Sequence, residues 1–179
     1  MSQIDQELLG QALAGDQGAF AALYQERQGA VYRFALHMTG SVTVAEDVTQ
    51  ETFMALLTQG ARYDAARGTL AAFLYGIARN LVMRRLDKGR DLPLEDSAGG
   101  EDLLDDLTRR ETIEHVRRAV LSLPPVYREA VVLCDLGDAS YEEAAGALEC
   151  PVGTVRSRLS RARAMLVQKL SGVRGTCNV

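Results

Sequence analysis

The chain has 179 residues, 47% of them hydrophobic and 25% charged, with a formal net charge of −4. That length suits one ordinary domain or two small ones, and the balance is globular rather than disordered. No run approaches the roughly 18 apolar residues of a membrane span. The 3 cysteines include no CxxC pair, which argues against a disulfide framework or a zinc site, and the overall acidity argues against a polybasic DNA binder.

The start, MSQIDQELLG, lacks the basic head and apolar run of a signal peptide, so the expected compartment is the cytoplasm. Apolar residues then recur at spacings of three and four over 18–38, 44–58 and 69–86, which predicts helices. The segment 88–107, KGRDLPLEDSAGGEDLLDDL, joins a proline, paired glycines and many acids, and reads as a flexible, self-repelling linker. Helices are predicted again over about 109–121, 125–135, 140–148 and 151–170, with Pro125 suited to a first helical position. The tail SGVRGTCNV is expected to fray. The fold class is therefore all-α: two small helical bundles (1–90 and 109–172), joined by the acidic linker 91–108 and ending in a mobile tail, 173–179.

Charge is not spread evenly along this chain. Residues 1–61 set 7 acids against 2 arginines, and residues 91–114 set 9 acids against 2 arginines. Between them, residues 62–90 carry 7 basic residues against 2 acids, and residues 140–179 carry 6 against 3. Two basic islands in an acidic chain fit two electrostatic partners or two solvated helix faces equally well.

The second island decides between these. Residues 140–166 read SYEEAAGALECPVGTVRSRLSRARAML. Ser140 and Glu143 have the spacing of a capping box, Ala144, Ala145 and Leu148 give a small-residue inner face, and Pro151 opens a second helix. On that helix Val155, Leu159, Ala162 and Leu166 share one face. Gly153, Ser157 and Ser160 fall opposite, flanked by Arg156 on one side and Thr154 and Arg161 on the other. This is the layout of a helix-turn-helix whose second helix would enter the major groove by its N-terminal end, with arginines for phosphates or guanine edges.

With that motif in view, the chain resembles the sigma-70 family of bacterial RNA polymerase sigma factors, in particular the extracytoplasmic-function (ECF) group. Four segments carry the resemblance in the family's order: AEDVTQETF (45–53), FLYGIARN (73–80), LPPVYREAVVL (123–133) and the helix-turn-helix. The resemblance implies a non-enzymatic initiation factor, without cofactor or metal, that guides core RNA polymerase to promoter DNA by its −35 and −10 elements and aids −10 melting.

Residue by residue, the resemblance implies that Asp47, Gln50, Glu51 and Met54 bind the clamp helices of the largest polymerase subunit; without it the same stripe reads as a solvated face. The first island then corresponds to the part that melts and reads the −10 element. Arg62, Tyr63 and Arg67 would form a loop for a flipped base, Asn80 would offer an amide to a base edge, and Arg79, Arg84 and Arg85 would meet phosphates. Tyr75 suits either stacking or a core. LPPVYREAVVL would touch the flap of the second-largest subunit, although Leu123, Pro124, Val126, Tyr127 and Val131 suit a bundle core as well. The −35 element would fall to Gly153, Thr154, Arg156, Ser157, Arg158, Ser160 and Arg161. The chain departs from the family where Leu57 and Phe73 replace customary tryptophans and Arg84 replaces a customary acid.

An anti-sigma factor, often membrane-anchored in this group, is a partner implied by the resemblance alone; the chain itself is expected to make no membrane contact. The competing reading is a free-standing helix-turn-helix regulator with an N-terminal sensor or dimerisation domain, which would need neither the first island nor the 47–54 stripe. An enzyme is disfavoured: Cys134 lies in the apolar run VVLCDL, and His37 and His115 lack metal or triad spacing.

Overall fold

The computed structural model describes residues 2–88 and 105–171, which form eight α-helices and one 3-10 turn, with no strand among the described residues. In chain order these are α1 (Ser2–Leu13), α2 (Gln17–Thr39), α3 (Val42–Gln59), the 3-10 turn Gly60–Arg62, α4 (Leu70–Lys88), α5 (Asp105–Leu121), α6 (Pro125–Cys134), α7 (Tyr141–Ala147) and α8 (Val152–Ser171). The all-α expectation holds. The expected linker and tail lie almost wholly outside the described residues, but 105–108, assigned to the linker, form the first turn of α5.

In the N-terminal bundle α2, α3 and α4 pack mutually and α1 lies across α2. Local chemistry sets the corners. Asp16 caps α2 by accepting from the backbone N–H of Gly18 at 2.8 Å and of Ala19 at 3.1 Å. Only Gly40 and Ser41 separate α2 from α3. Gly40 takes a left-handed φ of 75° and its N–H donates to Leu36 O at 2.8 Å, while Ser41 Oγ accepts from Val44 N at 3.2 Å. The buried stripe Ala45, Val48, Thr52, Phe53 and Leu56 turns α3 inward. Tyr75 is buried edge-on to Phe34, with centroids 5.8 Å apart, so its role is core packing. Helix α1 was not delimited in sequence; it buries Leu9 and Ala12 and is tied to α2 by Arg27, which donates to both Asp5 carboxylate oxygens at 2.9 and 3.0 Å.

The C-terminal bundle closes α6, α7 and α5 around α8. Pro125 stands at the start of α6, where its missing N–H leaves no helix bond unmade. Pro151 falls one residue before α8 rather than inside it. Its carbonyl accepts the first helix bonds, from Thr154 N at 2.8 Å and Val155 N at 3.2 Å, which makes it the N-cap. Leu123 and Val131 are buried, while Pro124 and Val126 are exposed, so core packing claims only part of LPPVY.

The two bundles do not stand apart. One apolar core runs from Leu23, Met38 and Phe53 through Leu74 and Ala78 to Val132, Ala144 and Val155. Helix α4 lies on α7 through Ala72 and Gly76 against Gly146 and Ala147; a Cβ at Gly146 would already touch that of Ala72 at 3.4 Å. Polar contacts finish the junction. Arg128 donates to Met38 O at 2.5 Å and Arg117 to Gly40 O at 2.5 Å, so the carbonyl end of α2 is capped by arginines of the other bundle. Arg128 also donates to Leu123 O at 3.0 Å and to Leu121 O.

Candidate nucleic-acid and polymerase interface

Three groups of predicted residues take up distinct positions. On α3, Asp47, Gln50, Glu51 and Met54 are all exposed, and Leu57 continues the stripe; Met54 is 61% and Leu57 44% exposed. Two large apolar side chains in water, rimmed by acids and an amide, make a surface suited to a partner. Glu51 is not idle, since it accepts from Arg85 Nη2 of α4 at 2.5 Å.

The second group surrounds the loop from Arg62 to Gly68 and the outer face of α4. Tyr63 donates its hydroxyl to Gly68 O at 3.2 Å and lays its ring on Phe73, centroids 5.6 Å apart. Asp64 folds the loop by accepting from Ala66 N at 2.9 Å. An open cleft of about 760 Å³ is bounded by Arg62, Tyr63, Arg67, Phe73 and Asn80, with Gly146, Glu149 and Pro151 on its opposite wall. Arg62, Arg67, Asn80 and Arg84 are exposed and available to a ligand.

Arg79 is engaged inward. Its Nε donates to Glu129 Oε1 of α6 at 2.8 Å across the bundle junction. Glu129 is fully buried and its second oxygen has no protein partner among the described residues. Burial pushes its carboxyl pKa up, opposed by the charge and hydrogen bond of Arg79 and by the charge of Arg158. Arg158 is accordingly half-buried on the flank of α8 that looks toward Glu129.

The third group is the helix-turn-helix. The capping box forms as expected: Ser140 Oγ accepts from Glu143 N at 3.1 Å, and Glu143 accepts from Ser140 N at 3.0 Å. Glu143 also accepts from Thr69 Oγ1, before α4, at 2.9 Å. The turn passes through Glu149 at a left-handed φ of 50°. On α8, Val155, Leu159 and Ala162 are buried, whereas Gly153, Arg156, Ser157, Ser160 and Arg161 are exposed and Thr154 is half-buried.

Sequence reading missed Tyr141 and Arg163. Arg163 donates to Asp135 in a two-pronged pair at 2.9 and 2.6 Å, and Arg156 lies over the Tyr141 ring, 5.7 Å from its centroid. Neither contact has a local signal, since Arg163 and Asp135 lie 28 residues apart and Arg156 and Tyr141 sit on different helices. No group of three His, Cys, Asp or Glu residues suited to a metal occurs among the described residues.

A capped helix-turn-helix with exposed arginines, beside a second basic face over a cleft, is the architecture of a DNA-binding protein. Two family profiles match the chain: Sigma-70 region 2 over residues 23–91 and Sigma-70, region 4 over residues 113–166. The ECF sigma factor SigE of Mycolicibacterium smegmatis is 35% identical over 168 residues, covering 85% of this chain and 63% of that protein. SigM of Mycobacterium tuberculosis, also an ECF sigma factor, is 32% identical over 178 residues, covering 98% and 89%. Among solved structures, CnrH in complex with the cytosolic domain of CnrY matches with a TM-score of 0.76 at 28% identity, covering 94% of this chain and 98% of that one. The chain belongs to the sigma-70 family of RNA polymerase sigma factors, in its extracytoplasmic-function group. It is a transcription initiation factor that directs core RNA polymerase to promoters and is not itself an enzyme.

Proposed function

We propose that the three surfaces divide promoter recognition among them. The α3 stripe of Asp47, Gln50, Glu51 and Met54, extended by Leu57, docks on the clamp helices of the largest polymerase subunit. The cleft of Arg62, Tyr63, Arg67 and Asn80 takes an unpaired base of the −10 element, with Arg84 beside it for phosphates. Arg79 and Arg85 reach the −10 strand only on leaving Glu129 and Glu51. Helix α8 reads the −35 element with Arg156, Ser157 and Arg161, while Gly153, Thr154 and Ser160 admit the backbone close to the groove and Arg158 serves a flanking phosphate. The exposed part of LPPVY, Pro124 and Val126, meets the flap of the second-largest subunit. The units that act are residues 1–90 and 109–172.

The observation that carries this reading is the phase of α8: Val155, Leu159 and Ala162 are buried, while Gly153, Ser157 and Ser160 are exposed on the opposite face with Arg156 and Arg161 exposed at its flanks. The cytoplasm is the proposed site of action; no helix among the described residues is long and apolar enough to cross a membrane. The sigma factor RpoE of Bartonella quintana was solved in complex with the anti-sigma factor NepR, and we propose that this chain is likewise held by an anti-sigma factor.

Run-off transcription with core polymerase, on a promoter mapped from start sites induced by this chain, tests the division. Arg156→Ala is expected to lower directed transcription at least tenfold while binding to core stays intact. Met54→Asp is expected to abolish binding to core with the helical content unchanged. Transcription from both variants at the wild-type level would overturn the assignment.

A further inference from the structure

Tyr141 occupies the first position of α7, yet its side chain belongs to neither bundle alone. It packs half-buried against both apolar clusters, the large shared core and the smaller one of Leu123, Ala130, Val131, Leu159 and Ala162. A ring wedged in this way has little freedom of its own. Two arginines of α8 flank it. They stand seven residues apart, about 10 Å along the helix and on the same side of it. Arg163 is neutralised, held two-pronged by Asp135 of the α6–α7 turn. Its guanidinium is kept protonated beyond its ordinary range, by the hydrogen bond and charge of Asp135 first and by the Tyr141 hydroxyl after them. Arg156 differs: no carboxylate among the described residues pairs with it, and its guanidinium rests on the face of the Tyr141 ring.

We propose that Tyr141 is a positioning residue for −35 recognition, its ring holding the Arg156 guanidinium in the orientation that discriminates one base of that element. This rests on the assignment of α8 as the −35 helix. The physics is pre-organisation. An exposed arginine samples many rotamers and meets phosphates and bases alike, whereas two-pronged reading of a guanine edge needs the flat fork held in one plane. A cation over an aromatic face keeps its N–H edge free to donate while its own plane is restricted. The Asp135–Arg163 pair serves as the fixed end of the arrangement: it holds α8 at the turn leading into α7, so ring and guanidinium stay in register. Tyr141 therefore acts through Arg156 and needs no contact with the base itself.

The test uses holoenzyme assembled from the full chain and core polymerase, selecting from a promoter library randomised across the −35 region. Arg156→Ala should erase the preference at the base that Arg156 reads. Tyr141→Leu should weaken the preference at that same position about five- to tenfold and leave the others unchanged. Tyr141→Phe, which keeps the ring, should retain it, and the double variant Arg156→Ala/Tyr141→Leu should match Arg156→Ala alone. Tyr141→Met gives the same measurement if Tyr141→Leu unfolds α7. If Arg156→Ala erases a preference that neither Tyr141→Leu nor Tyr141→Met alters, or if both weaken every position alike, the positioning role is wrong. If Arg156→Ala itself leaves every preference intact, the assignment of α8 fails, and the positioning role with it.

Discussion

His37 stands in the last turn of α2, where a protonated histidine would ordinarily favour the carbonyl end of a helix. Here arginines already hold that place. Arg117 donates to Gly40 O, and Arg33 is on the same helix, one turn back. Burial among Phe34, Tyr75, Val132 and Leu136, and then the charges of Arg117 and Arg33, lower its pKa below the ordinary 6.5. A depressed folded pKa contributes stability above the unfolded value and loses it as pH falls through the folded one. Wild-type chain should therefore lose more stability to denaturant between pH 7.5 and pH 5.5 than His37→Gln does; equal losses in the two proteins would refute this. At this scale the sequence shows which residues are basic but not which are spoken for. Arg79 finds Glu129 50 residues away and Arg85 finds Glu51 34 residues away. Such pairs depend on how helices are set side by side, a matter on which spacing within one helix is silent.

Helix α7 has only 7 residues, too few to persist without fixed ends. Its N-terminus is secured by the capping box, and Glu143 extends that cap across the junction to Thr69. Losing an N-cap hydroxyl costs about 1 kcal/mol, or about 2–4 °C in a chain of this size. Ser140→Ala should lower the melting temperature by that amount, whereas Glu143→Gln, whose amide oxygen can still accept from Ser140 N while its amide nitrogen donates to the Thr69 hydroxyl, should lower it less; calorimetry on the two variants decides. Elements of this kind were legible because their causes are local. Ser140, Glu143, Pro125 and the stripe on α8 each lie within a few residues of what they determine, and the helix limits fall within two residues of expectation from α2 to α4 and from α6 to α8. Pro151 caps α8 instead of opening it, because a proline serves either as cap or as first residue and the choice is made by the turn before it. The close fit of α4 on α7 through Ala72, Gly76 and Gly146 left no local trace, since small residues are as common on exposed faces as at crossings.

For the whole molecule, the two islands that looked like separate binding sites are held side by side. The cleft proposed for the −10 element has α7 and its following turn as one wall, and α8 begins at the rim. Elements centred about 25 base pairs apart lie roughly 85 Å apart along B-DNA. A folded chain of this length has a radius of gyration of about 16 Å, hence a diameter near 40 Å. With the −35 element on α8 and the −10 element at α4, both cannot be occupied in this arrangement. Residues 89–104 can reach at most about 55 Å, which, added to the bundles, covers the distance once they part. On the proposed assignment the contact between bundles is a restraint to be undone in the polymerase complex, and polar contacts to it include those of Arg117 and Arg128 at the end of α2 and of Arg79 with Glu129. Arg117→Glu sets a carboxylate against the carbonyl end of α2 and beside Glu114, with which Arg117 is paired, reversing an attraction into a repulsion. Small-angle scattering should then show the radius of gyration of the free chain rising from about 16 Å to above about 20 Å, with helical content by circular dichroism unchanged. An unaltered radius would mean that the shared apolar core alone holds the bundles together and that the arginine caps are dispensable to closure.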